Sequence, residues 1–224
     1  GDEATATLTV TIRGRDAFFK VFGYPSAEFP PIPDFQTAVN GNAEIGKAKA
    51  VMTHPAGSLS ALVARTLFAT AKENSRYAIN GVLLKRDGKR LEMVATDGRR
   101  LALARANLAT SEKDAKAIAC IIPVKALSML QRLIRDHEEP VQIAVTDNQI
   151  LFSFGTAASP GRAVLISNLV EGTFPPYEDV IPKDQDKKVV ADRESLGRAV
   201  RKAAVLTNEE SRGVRLAFSG KGKR

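Results

Sequence analysis

The same local pattern occurs twice along this chain, and that repetition restricts what it can fold into. A helix-like run ends in Glu73-Asn74-Ser75-Arg76 and leads into a strand-like run. A second helix-like run ends in Glu209-Glu210-Ser211-Arg212 and again leads into a strand. The two arginines are 212 − 76 = 136 residues apart. A second marker, Phe-Pro-Pro, recurs with its phenylalanines, Phe29 and Phe174, 174 − 29 = 145 apart. The markers alternate, so the chain is not two repeats side by side. It reads as the tail of one repeat, one whole repeat and the head of a third. A fixed period implies tandem copies of one folding unit, here of about 140 residues, an ordinary domain size.

Periodicity gives the content of each unit. Residues 6–12 and 17–24 alternate like a hairpin around Gly14–Asp16, and the proline-dense stretch 28–35 forces an extended connection. A short strand is expected over Lys47–Met52. A helix follows over Leu59–Ala71, with Ser58 as N-cap and Leu59, Leu62, Val63 and Leu67 at helical spacing. Three strands come next, separated by Asp87-Gly88 and Asp97-Gly98, both tight-turn pairs. A second helix spans Val124–Asp136. Three more strands cover 141–146, 149–154 and 162–170, with a turn at Asp147-Asn148. The whole unit is thus two β-α-β-β-β halves. The third copy supplies a helix over Asp192–Leu206 and a strand over 214–219.

Enzymatic chemistry finds little support. The two histidines, His54 and His137, lie far apart in this reading, and no His/Cys cluster has metal spacing. No phosphate loop, dinucleotide fingerprint or nucleophile elbow is present. Asp97 reads as turn geometry. Cys120, the one cysteine, sits in an apolar run and reads as a core thiol. No apolar run approaches the roughly 18 residues of a membrane span, and no signal peptide is visible. The net charge of +8 favours a polyanionic partner.

The helices sharpen that hint. On Val124–Asp136, Lys125, Ser128, Arg132 and Arg135 fall within about 80° of one another, away from Leu127, Leu130, Leu133 and Ile134. Arg65 and Lys72 share a stripe on the first helix; Arg198, Arg201 and Lys202 lie opposite Leu196, Ala199 and Val200 on the third. Each stripe has two readings, a solvated face or a phosphate contact, and recurrence on three repeated helices brings them level. With aromatics at 6% and no tryptophan, phosphate contact fits better than base stacking.

The segments SRYAINGVLL (75–84), VATDGRRLA (94–102), EGTFPPYEDVIP (171–182) and TNEESRGVRL (207–216), in this order and spacing, resemble the bacterial sliding clamp family, the β subunit of DNA polymerase III. The resemblance covers nearly the whole chain and is weakest over residues 1–20. It implies an α+β DNA-clamp (processivity) fold of tandem domains, with helices facing a central hole. Residues 1–45 then match the end of domain 1, 46–183 all of domain 2, and 184–224 the start of domain 3. The family implies a head-to-tail homodimeric ring around double-stranded DNA, held without sequence preference. Its implied partners are the polymerase III α subunit, the clamp loader and repair polymerases, captured through linear motifs. It implies a cytoplasmic, nucleoid-associated protein with no cofactor, no metal, no membrane partner and no catalytic residue.

Carried over position by position, the DNA-facing residues are Lys72, Glu73, Arg76, Tyr77 and Lys125, to which the stripes add Arg132, Arg198, Arg201 and Lys202. Glu73 is acidic where the family has a neutral polar contact. The peptide cleft maps to Ile79, Thr96, Gly98, Arg99, Arg100, Leu101, Pro175, Asp179 and Val180, whose alternative reading is plain turn and linker. Asp179 is acidic where some clamps carry arginine. Two rival classes remain: a repeat scaffold that binds peptides only, and a nuclease or hydrolase.

Overall fold

The structure, a computed structural model, describes residues 35–41, 47–72, 77–108, 117–155, 163–207 and 213–218. They fall into two compact units, Gly1–Pro175 and Pro176–Arg224.

The first unit runs α1 (Phe35–Asn40), β1 (Ala50–Pro55), α2 (Ala56–Ala64), β2 (Gly81–Asp87), β3 (Arg90–Thr96), β4 (Leu101–Asn107), β5 (Ile118–Pro123), α3 (Val124–Leu133), β6 (Pro140–Val145), β7 (Gln149–Phe154) and β8 (Ala163–Asn168). From β1 onward this is strand, helix and three strands, twice, as periodicity predicts. The halves are not self-contained, however. One antiparallel sheet has the order β1-β6-β7-β8 and the other β4-β3-β2-β5. Each half therefore lends its first strand to the other half's sheet: Ala50 faces Val145 and Pro55 faces Pro140 in one, Gly81 faces Pro123 and Arg86 faces Ile118 in the other. The exchange makes the two halves one folding unit.

Both lent strands end in a proline that opens directly into a helix, Pro55 and Pro123, 123 − 55 = 68 residues apart. Proline has no N–H to continue a ladder, and its fixed φ suits the approach to a helix. Neither helix has a side-chain cap. At α2 the amides of Ala56 and Gly57 donate instead to the carbonyls of Glu139 and His137, at 2.9 and 2.8 Å. Ser58 is thus not the N-cap. It lies inside α2, its Oγ 2.8 Å from His54 Nε2.

One core fills the space between the sheets and the two helices. Leu59, Leu62 and Val63 of α2 and Leu127 and Leu130 of α3 meet Leu84, Leu91, Met93, Ile122, Ile143, Ile150 and Phe152 from the strands. Cys120 is buried here, and burial pushes its thiol up to about 12. A second, smaller cluster lies where Phe35 and Ala38 of α1 cover Ala144 and Leu151. Helix α1 has no counterpart in the sequence reading, which ended its extended connection at residue 35 and assigned nothing to 36–40.

Several expected boundaries shift for local reasons. The first helix stops at Ala64, not Ala71, because the Thr66 hydroxyl donates to the carbonyls of Leu62 and Val63 and so competes with the next helical turn. A 3-10 turn, Leu67–Ala69, follows. The second helix stops at Leu133, where Ile134 turns extended (ψ 105°) and packs against the core. Leu133, expected on the apolar arc, is 36% exposed at that end. The first strand is Ala50–Pro55 rather than Lys47–Met52, its register set by pairing with β6. The expected 6–12/17–24 hairpin lies outside the described residues.

The second unit holds a 3-10 turn, Glu178–Val180, and helix α4 (Arg193–Ala204). Asp192 caps α4, accepting from the Ser195 amide at 2.8 Å, and that bond holds its carboxyl below the usual range. No residue of α4 is buried. Of the strand expected over 214–219, the described residues 214–218 belong to no helix or strand.

Candidate functional site

Helices α2 and α3 pack side by side, with Gln131 Nε2 donating to the Ser60 carbonyl at 3.5 Å. Each turns one flank to the core. Lys125, Arg132 and Arg135 are exposed on and just after α3, whereas α2 itself carries no charged residue and only its C-cap Arg65 is basic and exposed. Lys72 and Tyr77 are also exposed; nearby, the Ala71 amide donates to the Ile79 carbonyl at 3.0 Å. Glu73 and Arg76 lie outside the described residues. In the second unit Arg198, Arg201 and Lys202 are exposed on α4.

The hairpin tip between β3 and β4 is a more finely built surface. Thr96 Oγ1 donates to the Arg100 carbonyl at 2.8 Å and accepts from the Gly98 amide at 3.1 Å. Gly98 sits at φ +85°, a conformation that suits glycine. Asp97 Oδ1 accepts the amides of Arg99 and Arg100, both at 3.0 Å, and Oδ2 accepts Arg100 Nε at 3.1 Å. The backbone bond from Arg99 is the main cause holding the Asp97 carboxyl below its ordinary range, with Arg100 adding to it. The turn is therefore internally satisfied, and it presents Arg99 and Arg100 exposed beside half-buried Leu101. Ile79 and Thr96 are each 9% exposed. Pro175 is half-buried at the end of this unit. Asp179 and Val180 are exposed in the other unit, Val180 at 66%.

The sequence reading missed Phe68. Its ring is 61% exposed, and the Arg100 guanidinium carbon lies 5.7 Å from the ring centroid. The signal was present. Counted from Leu59 at helical spacing, Phe68 falls about 180° from the apolar arc, an odd place for a large aromatic. Among the described residues no three His, Cys, Asp or Glu side chains are grouped to hold a metal ion. Among the described residues no helix is long and apolar enough to cross a membrane.

Two strand-exchanged β-α-β-β-β halves around one core, with exposed basic residues on paired helices, define an α+β domain of the DNA-clamp class. Solved structures agree. A sliding clamp (DNA polymerase III subunit beta) from Pseudomonas aeruginosa, bound to griselimycin, matches with TM-score 0.74 at 33% identity, over 91% of this chain and 50% of that one. A clamp from Bacillus subtilis matches with TM-score 0.70 at 27% identity, over 88% and 47%. Among relatives, the beta sliding clamp of Salmonella typhimurium is 33% identical over 208 residues, 93% of this chain and 51% of the relative. That of Pseudomonas putida is 35% identical over 201 residues, 90% and 50%. The family model for the central domain of the DNA polymerase III beta subunit matches residues 54–176. The chain belongs to this family, and it spans about half the length of the curated relatives it matches.

Proposed function

We propose that this chain is part of a sliding clamp that encircles duplex DNA and tethers the replicative polymerase, without catalysing a reaction itself. Residues 46–183 form the complete middle domain in this reading, flanked by the end of domain 1 in 1–45 and the start of domain 3 in 184–224. The complete protein closes a ring as a head-to-tail homodimer and works in the cytoplasm on nucleoid DNA. Its contribution is effective concentration: a tethered polymerase that lets go rebinds before it can diffuse away.

The observation that supports this most is the two-sidedness of α3, which buries Ala126, Leu127 and Leu130 and bears exposed Lys125 and Arg132, with exposed Arg65 at the C-cap of the neighbouring α2. Lys72, Tyr77, Lys125 and Arg132, with Arg198, Arg201 and Lys202 of α4, are assigned to phosphate contact; Glu73 and Arg76 are assigned by the resemblance alone. Such contacts hold DNA without reading sequence and weaken with salt. The hairpin tip, with Ile79, Thr96, Gly98, Arg99, Arg100, Leu101 and Pro175, is assigned to capture of linear motifs from the polymerase α subunit, the clamp loader and repair polymerases. Its satisfied turn is preorganised, which lowers the cost of binding. Asp179 and Val180 are assigned there by the resemblance alone.

The test is retention on closed circular DNA. Lys125→Glu with Arg132→Glu in the complete protein should shorten the half-life on the circle. It should also reduce the slope of retention against log salt by about 2, roughly one unit for each phosphate no longer neutralised. A half-life and slope equal to wild type would remove these residues from the DNA-facing set.

A further inference from the structure

The face of the β4-β3-β2-β5 sheet that points away from the core carries a charged cluster used by neither surface assigned above. Lys85, Glu92 and Arg105 stand opposite one another across β2, β3 and β4. Register partners share a face of a sheet. Their chain neighbours Leu84, Leu91, Met93 and Ala104 belong to the core, so these three project from the other side. Arg90, two residues before Glu92 on β3, projects with them.

The carboxylate at the centre is buried, and the two arginines over it are not. The Glu92 side chain is 8% exposed, against 53% for Arg90 and 52% for Arg105. Both guanidiniums converge on one oxygen. Arg105 Nε donates to Glu92 Oε1 at 2.6 Å, and Arg90 Nη2 lies 2.5 Å from the same atom. Two cations that repel each other are thereby held side by side. A guanidinium has several N–H donors in a planar fork, so each half-exposed arginine keeps donors for a second oxyanion. Lys89 is exposed at the adjoining turn, and exposed Asp87 stands across from Arg90. Lys85, Lys89, Arg90 and Arg105 together outweigh the carboxylates of Asp87 and Glu92, and an incoming anion meets net positive charge.

We propose that Arg90 and Arg105, held together by Glu92, form a docking site for an acidic segment of a partner protein, whose carboxylate they take between them. Glu92 is the positioning residue. Charge complementarity identifies the occupant, since paired guanidiniums match a carboxylate in shape as well as sign. Nucleic acid fits less well. Strands β2 to β5 carry no aromatic side chain on which a base could stack. An evenly charged phosphate chain would also have to pass Asp87, whereas a peptide can set a neutral residue opposite it. The site lies at the far end of β3 from Thr96 and stands whether or not the hairpin tip captures motifs.

The experiment titrates the complete protein at low salt with three short labelled probes: a peptide of alternating aspartate and serine, its asparagine counterpart, and an oligothymidylate. Wild type should favour the aspartate peptide over the asparagine one by roughly tenfold. Arg90→Gln with Arg105→Gln should abolish that preference and, because both side chains are half exposed, keep the wild-type melting curve. Arg90→Lys with Arg105→Lys, which keeps the charge and loses the fork, should retain only part of it. Glu92→Gln should lower the preference about threefold although it removes a negative charge, because the arginines are no longer held together. A higher preference in Glu92→Gln would show plain charge attraction and overturn the positioning role. No preference in wild type, or an equal one in the double glutamine variant, would overturn the site. Tighter binding of the oligothymidylate than of the aspartate peptide, lost in that double variant, would give the patch to nucleic acid and overturn the acidic segment.

Discussion

Asp97 shows how much one side chain can settle. The sequence identified it as a turn residue, and it is one: its carboxylate takes two backbone amides. The same carboxylate also aims Arg100, a task that turn chemistry alone could not reveal. His54 is a second case. It is buried, its Nε2 pairs with Ser58, and its Nδ1 has no hydrogen-bond partner. Burial lowers its pKa from 6.5. The unfolded chain therefore takes up a proton near pH 6.5 that the folded state refuses, so stability is fully present above that pH and declines as pH falls. The urea midpoint should fall between pH 7 and pH 5, and the fall should be smaller in His54→Gln. Equal slopes in both proteins would show that His54 does not report on folding. Asp97 acts in a different window. Its lowered carboxyl adds stability above its unfolded value of 3.8 that is lost as pH falls further.

At the scale of elements, Gly81 marks where the exchanged strands meet. A Cβ there would lie 2.7 Å from both Ile121 Cγ2 and the Ile122 carbonyl oxygen. The isoleucine can turn aside, but the carbonyl belongs to the segment paired with β2. Gly81→Ala should cost about 1–3 kcal/mol, as overpacking does, measured as a lower urea midpoint at unchanged m-value. A variant as stable as wild type would mean that the β2–β5 edge is looser than the structure shows. What the sequence could reveal here follows from range. The Asp87-Gly88 and Asp97-Gly98 turns and the strands around them are local patterns, and they stand where expected. Helix ends were not legible, because Thr66 closes α2 with its hydroxyl and α2 begins on carbonyls of Glu139 and His137, some eighty residues on. The strand exchange was hidden for the same reason: β1 carries no local sign that its partner is β6 rather than β2. Of the candidate site, the hairpin tip was legible from its turn chemistry. Phe68 was legible only as a misfit, because what fixes it is Arg100, 32 residues away.

At the scale of the whole molecule, the described residues of the first unit join two β-α-β-β-β halves through exchanged strands. One core is closed by residues of both halves. In the second unit, α4 is amphipathic in sequence but buries no residue. The central claim concerns topology, a ring that holds DNA by enclosure rather than by tight contact. Weak basic contacts suit that task, since strong ones would oppose sliding. The most direct measurement is to load the complete protein onto circular duplex DNA, cut the circle once, and follow retention at physiological salt. Rapid release after linearisation, with stable retention on the intact circle, is the predicted result. Equal retention on cut DNA with free ends would contradict enclosure and leave ordinary electrostatic binding in its place.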